Sequence, residues 1–190
     1  MRDETGVLGQ AMDRLAHNDR LTGLFNRSEV LSRLHQAIQR TTAQHRYGAL
    51  LLVNLDNVSV LNNTRGHDAG DQLLIATAKR LQQLEDSGAL VARLGGDEFA
   101  LVLNAVDSPD AAMEMAHKVL AALVAPIGLD NGQHVLIGAS IGVALFQGPA
   151  VEALSALMDR ADRALYASKR GGKGLATLAD APGGAAAQPG

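Results

Sequence analysis

The chain has 190 residues, with 17 lysines and arginines against 20 aspartates and glutamates, a formal net charge of −3 and no cysteine. This length suits one globular domain with short extensions, and a hydrophobic share of 47% excludes a wholly disordered protein. The lack of cysteine excludes disulfides and thiolate metal sites. The mild acidity argues against a nucleic-acid-binding protein, which would carry a basic surface.

The sequence offers no candidate for a membrane span or a secretion signal. The longest apolar run, residues 119–129, is interrupted by Pro126 and is shorter than the roughly 18 residues that a transmembrane helix needs. Residues 1–4 lack the pattern of a signal peptide, in which basic residues precede an apolar region. We therefore expect this chain not to insert into a membrane and to work in the cytoplasm.

Apolar periodicity predicts helices and a strand in the first half of the chain. A short amphipathic helix is expected within residues 1–18, and a second helix runs from Asn26 to Ile38. The nearly continuous apolar run at 47–53 predicts a buried strand. After a polar stretch over 54–70, apolar residues return to helical spacing over 73–84.

A hairpin dominates the second half of the chain. Two strand-like runs, 89–94 and 99–103, are joined by Gly95-Gly96-Asp97-Glu98, and glycines at such a junction are typical of tight turns. The remaining predicted elements are a helix over 110–124, a strand over 134–146 and a helix over 151–169. This order predicts an α+β fold in which helices pack on a sheet that contains antiparallel strands.

Acidic and amide side chains follow two of the predicted strands. Asp97 and Glu98 lie in the hairpin turn, and Asn54 and Asp56 come directly after the strand at 47–53. If the two strands are neighbours, these side chains meet, and oxygen ligands of this kind suit Mg²⁺. The alternative is that the acids only keep an exposed hairpin tip soluble.

Several motifs occur in order along the chain: DRLTGLFNR at 19–27, Asn62 followed by GHDAGD at 66–71, RLGGDEF at 93–99, SIGVA at 140–144 and ADRALYASK at 161–169. With these motifs the sequence resembles the GGDEF family of diguanylate cyclases over residues 19–174. The resemblance implies a mixed sheet with a ferredoxin-like core, similar to the palm of nucleotidyl cyclases and polymerases, with helices packed on it.

The resemblance also implies an activity and its partners. Each protomer would bind one GTP with Mg²⁺ or Mn²⁺, and two protomers would face each other as a homodimer. Each 3′-hydroxyl would attack the α-phosphate of the other GTP, which yields cyclic di-GMP and two diphosphates. Such a reaction needs charge neutralisation on the triphosphate and a metal that lowers the pKa of the hydroxyl.

Motif positions assign metal and catalytic roles to three residues of this chain. The resemblance implies that Asp97 is a direct metal ligand and that Glu98 is an acid at the metal and the 3′-hydroxyl. It also implies that Leu55 offers its backbone carbonyl to the metal.

Motif positions also assign the contacts to GTP. Asn62 and Asp71 match the pair that hydrogen-bonds guanine, although both could merely cap the following helix. Lys169 and Lys173 match the cations on the phosphates. Lys173 stands where the family has arginine, so it keeps the charge without the bidentate fork. The alternative for the glycine-rich segment around Lys173 is a solvated basic loop.

The sequence departs from the family at two further site positions. Asn54 replaces an aspartate that is a principal metal ligand, and Ser59 replaces a lysine credited with stabilising transition-state charge. Loss of one such stabilising group can lower a rate on the order of 10²- to 10³-fold, so we expect an impaired cyclase. The alternative is a catalytically inactive module that senses GTP or dimerises. The Arg-x-x-Asp motif of the family's product-inhibition site is absent, because residues 86–89 read Asp-Ser-Gly-Ala.

Readings from other functional classes are weaker. The pattern G-x-S-x-G at 138–142 matches a hydrolase nucleophile elbow, but it lies within a predicted strand and no histidine follows His134. The six histidines form no H-x-x-x-H pair, which argues against zinc.

We divide the chain into three parts. Residues 1–18 resemble a HAMP-like linker, or are only a frayed helix; 19–178 form the GGDEF domain; and 179–190 are a disordered tail. A HAMP-like segment would imply an upstream sensor in a larger parent protein, attached to the inner membrane.

Overall fold

The computed structural model describes residues 4–44, 46–147 and 152–182. Its helices are α1 (Glu4–His17), α2 (Arg27–Gln44), α3 (Val58–Arg65), α4 (His67–Gln82), α5 (Pro109–Leu123) and α6 (Leu154–Arg170), with a 3-10 turn at Gln83–Ser87. Its strands are β1 (Tyr47–Leu55), β2 (Ala89–Gly95), β3 (Glu98–Val106), β4 (Ile127–Gly128), β5 (His134–Val135), β6 (Ala139–Gln147) and β7 (Ala176–Leu178).

The main sheet is mixed and has the strand order β2-β3-β1-β6-β7. β1 is central and pairs antiparallel with both β3 and β6, whereas β7 runs parallel to β6. At the end of β1, Asn54 lies opposite Glu98 on one side and Ser140 on the other. The sheet therefore brings together the strand ends at which the sequence concentrates polar residues.

Helices cover both faces of the sheet. Alternate β1 residues point to opposite faces, so Leu51 and Val53 join the core with α3, α4 and α5, while Leu50 and Leu52 join the core with α2 and α6. Burial on both faces explains why β1 reads as a continuous apolar run rather than an alternating one. The predicted α+β fold with a mixed sheet is confirmed.

Three local features differ from the sequence-based expectations. The polar stretch at 54–70 contains α3, whose short apolar face of Val58 and Leu61 is easily overlooked. The strand predicted over 134–146 is split, because His134 and Val135 pair with β4 in a separate hairpin. β7 was not expected, since its three residues have no periodicity of their own and depend on pairing with β6.

The two ends of the described chain differ in how they attach to the domain. The apolar side chains of α1 are exposed, among them Val7, Met12 and Leu15. Near the other end, Ala179 N–H donates to the Val143 carbonyl at 2.7 Å, which joins the first residue of the predicted tail to β6. Residues 183–190 of that tail lie outside the described residues.

Candidate functional site

The hairpin turn between β2 and β3 reaches the end of β1. Gly95 and Gly96 have φ values of 139° and 52°, a backbone conformation that favours glycine. The Asp97 carbonyl accepts a hydrogen bond from Leu55 N–H at 3.0 Å. The two polar strand ends are therefore neighbours, as their sequence predicted.

The side chains at this junction supply oxygen donors. Asn54 Nδ2 donates to Asp97 Oδ1 at 3.3 Å, so the amide and the carboxylate touch beside the backbone of Leu55. Among the described residues, no three His, Asp or Glu side chains cluster as a metal site. Mg²⁺ commonly takes only one or two carboxylates and completes its shell with water and substrate phosphates. The donor set of Asp97, Asn54 and the Leu55 carbonyl fits such an ion, with one charge fewer than two carboxylates would bring.

Glu98 adds negative charge next to these donors. Burial raises its pKa, and the nearby carboxylates of Asp162 and Asp97 raise it further, while Arg27 partly opposes the shift. Burial also raises the pKa of Asp162. A divalent cation would relieve this repulsion, which is a second reason why the residues present fit a metal.

Replacing Glu98 with glutamine is expected to stabilise the metal-free protein at neutral pH. Because folding raises the pKa of Glu98, the stabilising neutral form is lost as the pH rises through that pKa. The variant should therefore gain on the order of 1 kcal/mol, about 2–4 °C in Tm, at pH 7.5, and the gain should shrink toward pH 5. Calorimetry in EDTA would measure it, with Glu114→Gln on the exposed face of α5 as control. An equal gain at both pH values, or in the control, would contradict the stated cause.

Asp56 has a different environment from the one that its sequence position suggested. We expected its carboxylate to join those of Asp97 and Glu98. The side chain is instead only 4% exposed and accepts hydrogen bonds from Ser140 Oγ at 2.9 Å, Lys169 Nζ at 3.1 Å and Gly174 N–H at 3.2 Å. Asp56 therefore ties β1 to β6 and to the C-terminal end of α6.

Both predicted phosphate-binding lysines lie at the same end of β1. Lys169 forms an ion pair with Asp56, and its side chain remains 31% exposed. Lys173 has a φ of 64° and donates from Nζ to Asn57 Oδ1 at 2.9 Å. Two cations thus flank the turn between β1 and α3, within reach of an anion at the strand ends.

The predicted guanine-binding pair lies where α3 meets α4. Asn62 Oδ1 is buried and has no hydrogen-bond partner among the described residues. A Cβ at Gly70 would overlap this oxygen and lie 3.0 Å from Asn62 Cγ. Any residue other than glycine at position 70 would therefore displace the Asn62 amide. Asp71 follows Gly70 directly and is exposed. Ser59, one of the predicted departures, is exposed on α3.

Some residues of this region escaped the sequence-based prediction. Arg93 bridges Asp19 and the Gly96 carbonyl. The negative charge of Asp162 raises the pKa of Glu98. All of them lie within the quoted motifs. Their positions in these motifs could have marked them as candidate site residues, but the motifs do not show which of these residues contact each other.

The profile of the family described as "Diguanylate cyclase, GGDEF domain" matches residues 16–174. This chain belongs to the GGDEF domain family. It is 39% identical over 181 residues to the diguanylate cyclase TpbB of Pseudomonas aeruginosa, covering 95% of this chain and 40% of that protein. It is 42% identical over 162 residues to an uncharacterised signalling protein of Caulobacter vibrioides, covering 85% of this chain and 20% of that protein.

A solved structure shows the same fold. The isolated GGDEF domain of PA1120 (TpbB or YfiN) from Pseudomonas aeruginosa superposes with a TM-score of 0.82 at 36% identity, covering 86% of this chain and 95% of that one. The chain thus spans less than half the length of the two curated relatives named above but nearly all of a GGDEF domain. The comparisons give no support for a HAMP segment in residues 1–18. No helix among the described residues of this GGDEF domain is long and apolar enough to cross a membrane.

Proposed function

We propose that this GGDEF domain binds GTP with Mg²⁺ or Mn²⁺ and condenses two GTP molecules into cyclic di-GMP across a homodimer, slowly because of Asn54 and Ser59. The observation that carries the proposal is the contact between Asn54 and Asp97, two residues along the chain from Asp56, which binds Lys169. Oxygen donors for a metal and a cation for phosphates lie at one edge of the sheet. The named relative TpbB, a diguanylate cyclase, supports the same reaction class.

The guanine contact is supported by the orphaned acceptor on α3. A buried polar atom without a partner costs about 1–3 kcal/mol, so a ligand donor at Asn62 Oδ1 would remove a penalty already present. The exposed carboxylate of Asp71 is close in sequence to Gly70, which touches Asn62. An amide and a carboxylate together can pair with the polar edge of guanine.

The phosphates and the metal would be held at the strand ends. Asp97, Asn54 and the Leu55 carbonyl would hold the metal, which would neutralise phosphate charge and lower the pKa of the attacking hydroxyl. Lys169 remains partly exposed beside Asp56 and carries its charge toward the same edge. Glu98 lies next to Asp97, where its carboxylate can act on the metal or on the 3′-hydroxyl.

A homodimer is required because each chain offers one such site, while the product contains two guanosine monophosphates. The exposed apolar side chains of α1 support association with a second copy. Leu8, Met12 and Leu15 are 62%, 63% and 53% exposed and follow the i, i+4, i+7 spacing of one helical face. Pairing of two such faces would place two domains side by side.

The second candidate function is a GTP-sensing or dimerisation module without catalysis that regulates another domain of a larger parent protein. The specific observation in its favour is that the Asn54 side-chain amide donates a hydrogen bond to Asp97 Oδ1, at a position where a second carboxylate would supply charge for a metal. Each of the two curated relatives is longer than this chain, so partner domains are part of this proposal. We also propose that the domain works in the cytoplasm.

Incubation of the purified protein with GTP and Mn²⁺, followed by chromatography of the products, separates the two candidates. Cyclic di-GMP and diphosphate in the ratio of one to two would support the cyclase. GTP binding without product would exclude the cyclase and favour the sensing module. Absence of both GTP binding and product would exclude the cyclase and the GTP-sensing module and would leave only the dimerisation role.

Replacing Gly70 with alanine is expected to weaken GTP binding about tenfold, which corresponds to about 1.4 kcal/mol. The new Cβ would displace the Asn62 amide, while alanine favours the helix and so protects overall stability. Titration calorimetry with a non-reacting GTP analogue would measure the affinity. The control is Gly9→Ala, because a Cβ at Gly9 meets nothing within 4 Å. A folded Gly70→Ala variant with unchanged affinity would show that Asn62 does not contact the nucleotide.

A further inference from the structure

Arg93, near the end of β2, holds two separate segments of the chain. Its Nη1 lies 3.1 Å and 3.2 Å from Asp19 Oδ1 and Oδ2. Its Nε and Nη2 donate to the Gly96 carbonyl at 3.1 Å and 2.8 Å. The side chains of Arg93 and Asp19 are 14% and 19% exposed, so the pair is shielded from solvent more than an ordinary surface ion pair.

Asp19 is itself fixed in the loop that follows α1. Its Oδ2 accepts hydrogen bonds from Thr22 N–H at 2.9 Å and from Thr22 Oγ1 at 2.7 Å. Burial alone raises the pKa of Asp19, but the hydrogen bonds from Thr22 and the contact with Arg93 outweigh it and lower the pKa. The same loop is joined to β2 by a hydrogen bond from Arg93 N–H to the Phe25 carbonyl at 2.9 Å. The loop therefore offers Arg93 a rigid, charged anchor.

Gly95 and Gly96, in the turn that Arg93 reaches, have no side chains that could stabilise their conformation. Gly95 and Gly96 both adopt positive φ, and glycine has the greatest backbone freedom of any residue. The guanidinium contributes two N–H groups to the Gly96 carbonyl, in the planar fork that lysine cannot reproduce. Gly96 immediately precedes Asp97, whose own carbonyl accepts from Leu55 N–H. Asp97 is thus restrained by contacts on both sides.

We infer that Asp19 and Arg93 together position the Gly95-Gly96 turn, so that the loop following α1 sets the placement of Asp97 and Glu98. Arg93 and Asp19 are positioning residues, since neither is expected to touch GTP. The expected effect of this ion pair on GTP turnover rests on the proposed function, whereas its expected effect on the conformation of the Gly95-Gly96 turn does not. The inference makes this ion pair the side-chain link between the loop after α1 and the hairpin turn, alongside the backbone hydrogen bond from Arg93 to Phe25.

The test compares Arg93→Lys and Asp19→Asn in the full chain with wild type. Hydrogen exchange followed by mass spectrometry would report on the amides of residues 94–99. Both variants should speed exchange there about tenfold while Tm falls by only a few degrees, because the remainder of the core is untouched. Arg46→Lys and Asp107→Asn are the matched controls, since that ion pair is exposed and 3.4 Å long. The controls should exchange like wild type.

A kinetic readout separates positioning from general weakening. A misplacement of about 1 Å can lower a rate on the order of 10²-fold, so kcat should fall strongly while the dissociation constant of GTP stays within about twofold. Unchanged exchange in Asp19→Asn, or a loss of GTP affinity in proportion to kcat, would overturn the inference. If wild type makes no cyclic di-GMP, the proposed function fails. The exchange measurement still decides the inference in that case.

Discussion

The double replacement Asn54→Asp and Ser59→Lys is expected to raise the turnover of GTP to cyclic di-GMP on the order of 10²-fold. The first change acts at the proposed metal site. Asn54 Nδ2 now donates to Asp97 Oδ1 at 3.3 Å, whereas an aspartate would place two carboxylates side by side. Their repulsion would be relieved by a divalent cation, so metal binding should strengthen.

Replacing Ser59 with lysine adds a long, positively charged side chain to α3. Ser59 is exposed on α3, on the helix that also carries Asn62. A lysine there can extend toward developing negative charge without entering the core. We expect either single replacement to give a partial gain and the double replacement the larger one.

Two measurements would check this prediction. Chromatographic assays with Mn²⁺ would give the rates, and the rise in Tm on addition of Mn²⁺ would report metal binding independently of catalysis. The control is Asn104→Asp, which makes the same exchange on β3, six residues from Glu98, at a similarly half-buried position. No gain in rate together with stronger Mn²⁺ stabilisation would show that the defect lies elsewhere and favour the non-catalytic module.

Replacing Gly142 with alanine is expected to destabilise the domain by about 3 kcal/mol, or about 6–12 °C in Tm. Gly142 lies on β6, opposite Leu52 of the central strand. A Cβ there would overlap the Ala161 carbonyl oxygen and the Leu165 backbone nitrogen, and would lie 2.9 Å from Leu165 Cα. These are backbone atoms of α6, so the strain can be relieved only by shifting the helix.

The displacement of α6 has a functional consequence as well. Lys169 belongs to this helix and is held by Asp56, so a shifted helix should weaken the proposed contact of Lys169 with the phosphates of GTP. Thermal unfolding and titration with the GTP analogue would measure both effects. Gly9→Ala on exposed α1 serves as the control and should leave Tm unchanged or slightly higher. A Gly142→Ala variant as stable as wild type would mean that β6 and α6 do not approach so closely.

The hairpin between β2 and β3 was the part of the candidate site that local sequence predicted best. Gly95 and Gly96 indicate a turn, and apolar runs on either side indicate strands, so the positions of Asp97 and Glu98 at a strand junction followed. That Asn54 would meet Asp97 required only that the two strands be neighbours, and the structure confirms it. The roles of these residues toward GTP stay predictions.

The residues around Asp56 show where such reasoning stops. Its position after β1 suggested a place among the acids of the metal site, but Lys169 lies 113 positions away in the chain and packs beside it. The pairing of Asp19 with Arg93 likewise joins positions that are 74 residues apart. Neither contact has a periodic or local signal, because charged side chains pair according to which helix or loop covers which strand.

The sequence by itself therefore determined the class of fold and the family, and it predicted which residues form the candidate site. Alternation and periodicity record which face of each element is buried, and turn glycines record required backbone conformations. Only the tertiary structure decided which distant parts of the chain meet. It separated β5 from β6, added β7 as a parallel strand, and set the hydrogen-bond partners of Asp56 and Arg93. These depend on packing between segments far apart in the chain, and no local pattern of residues encodes them.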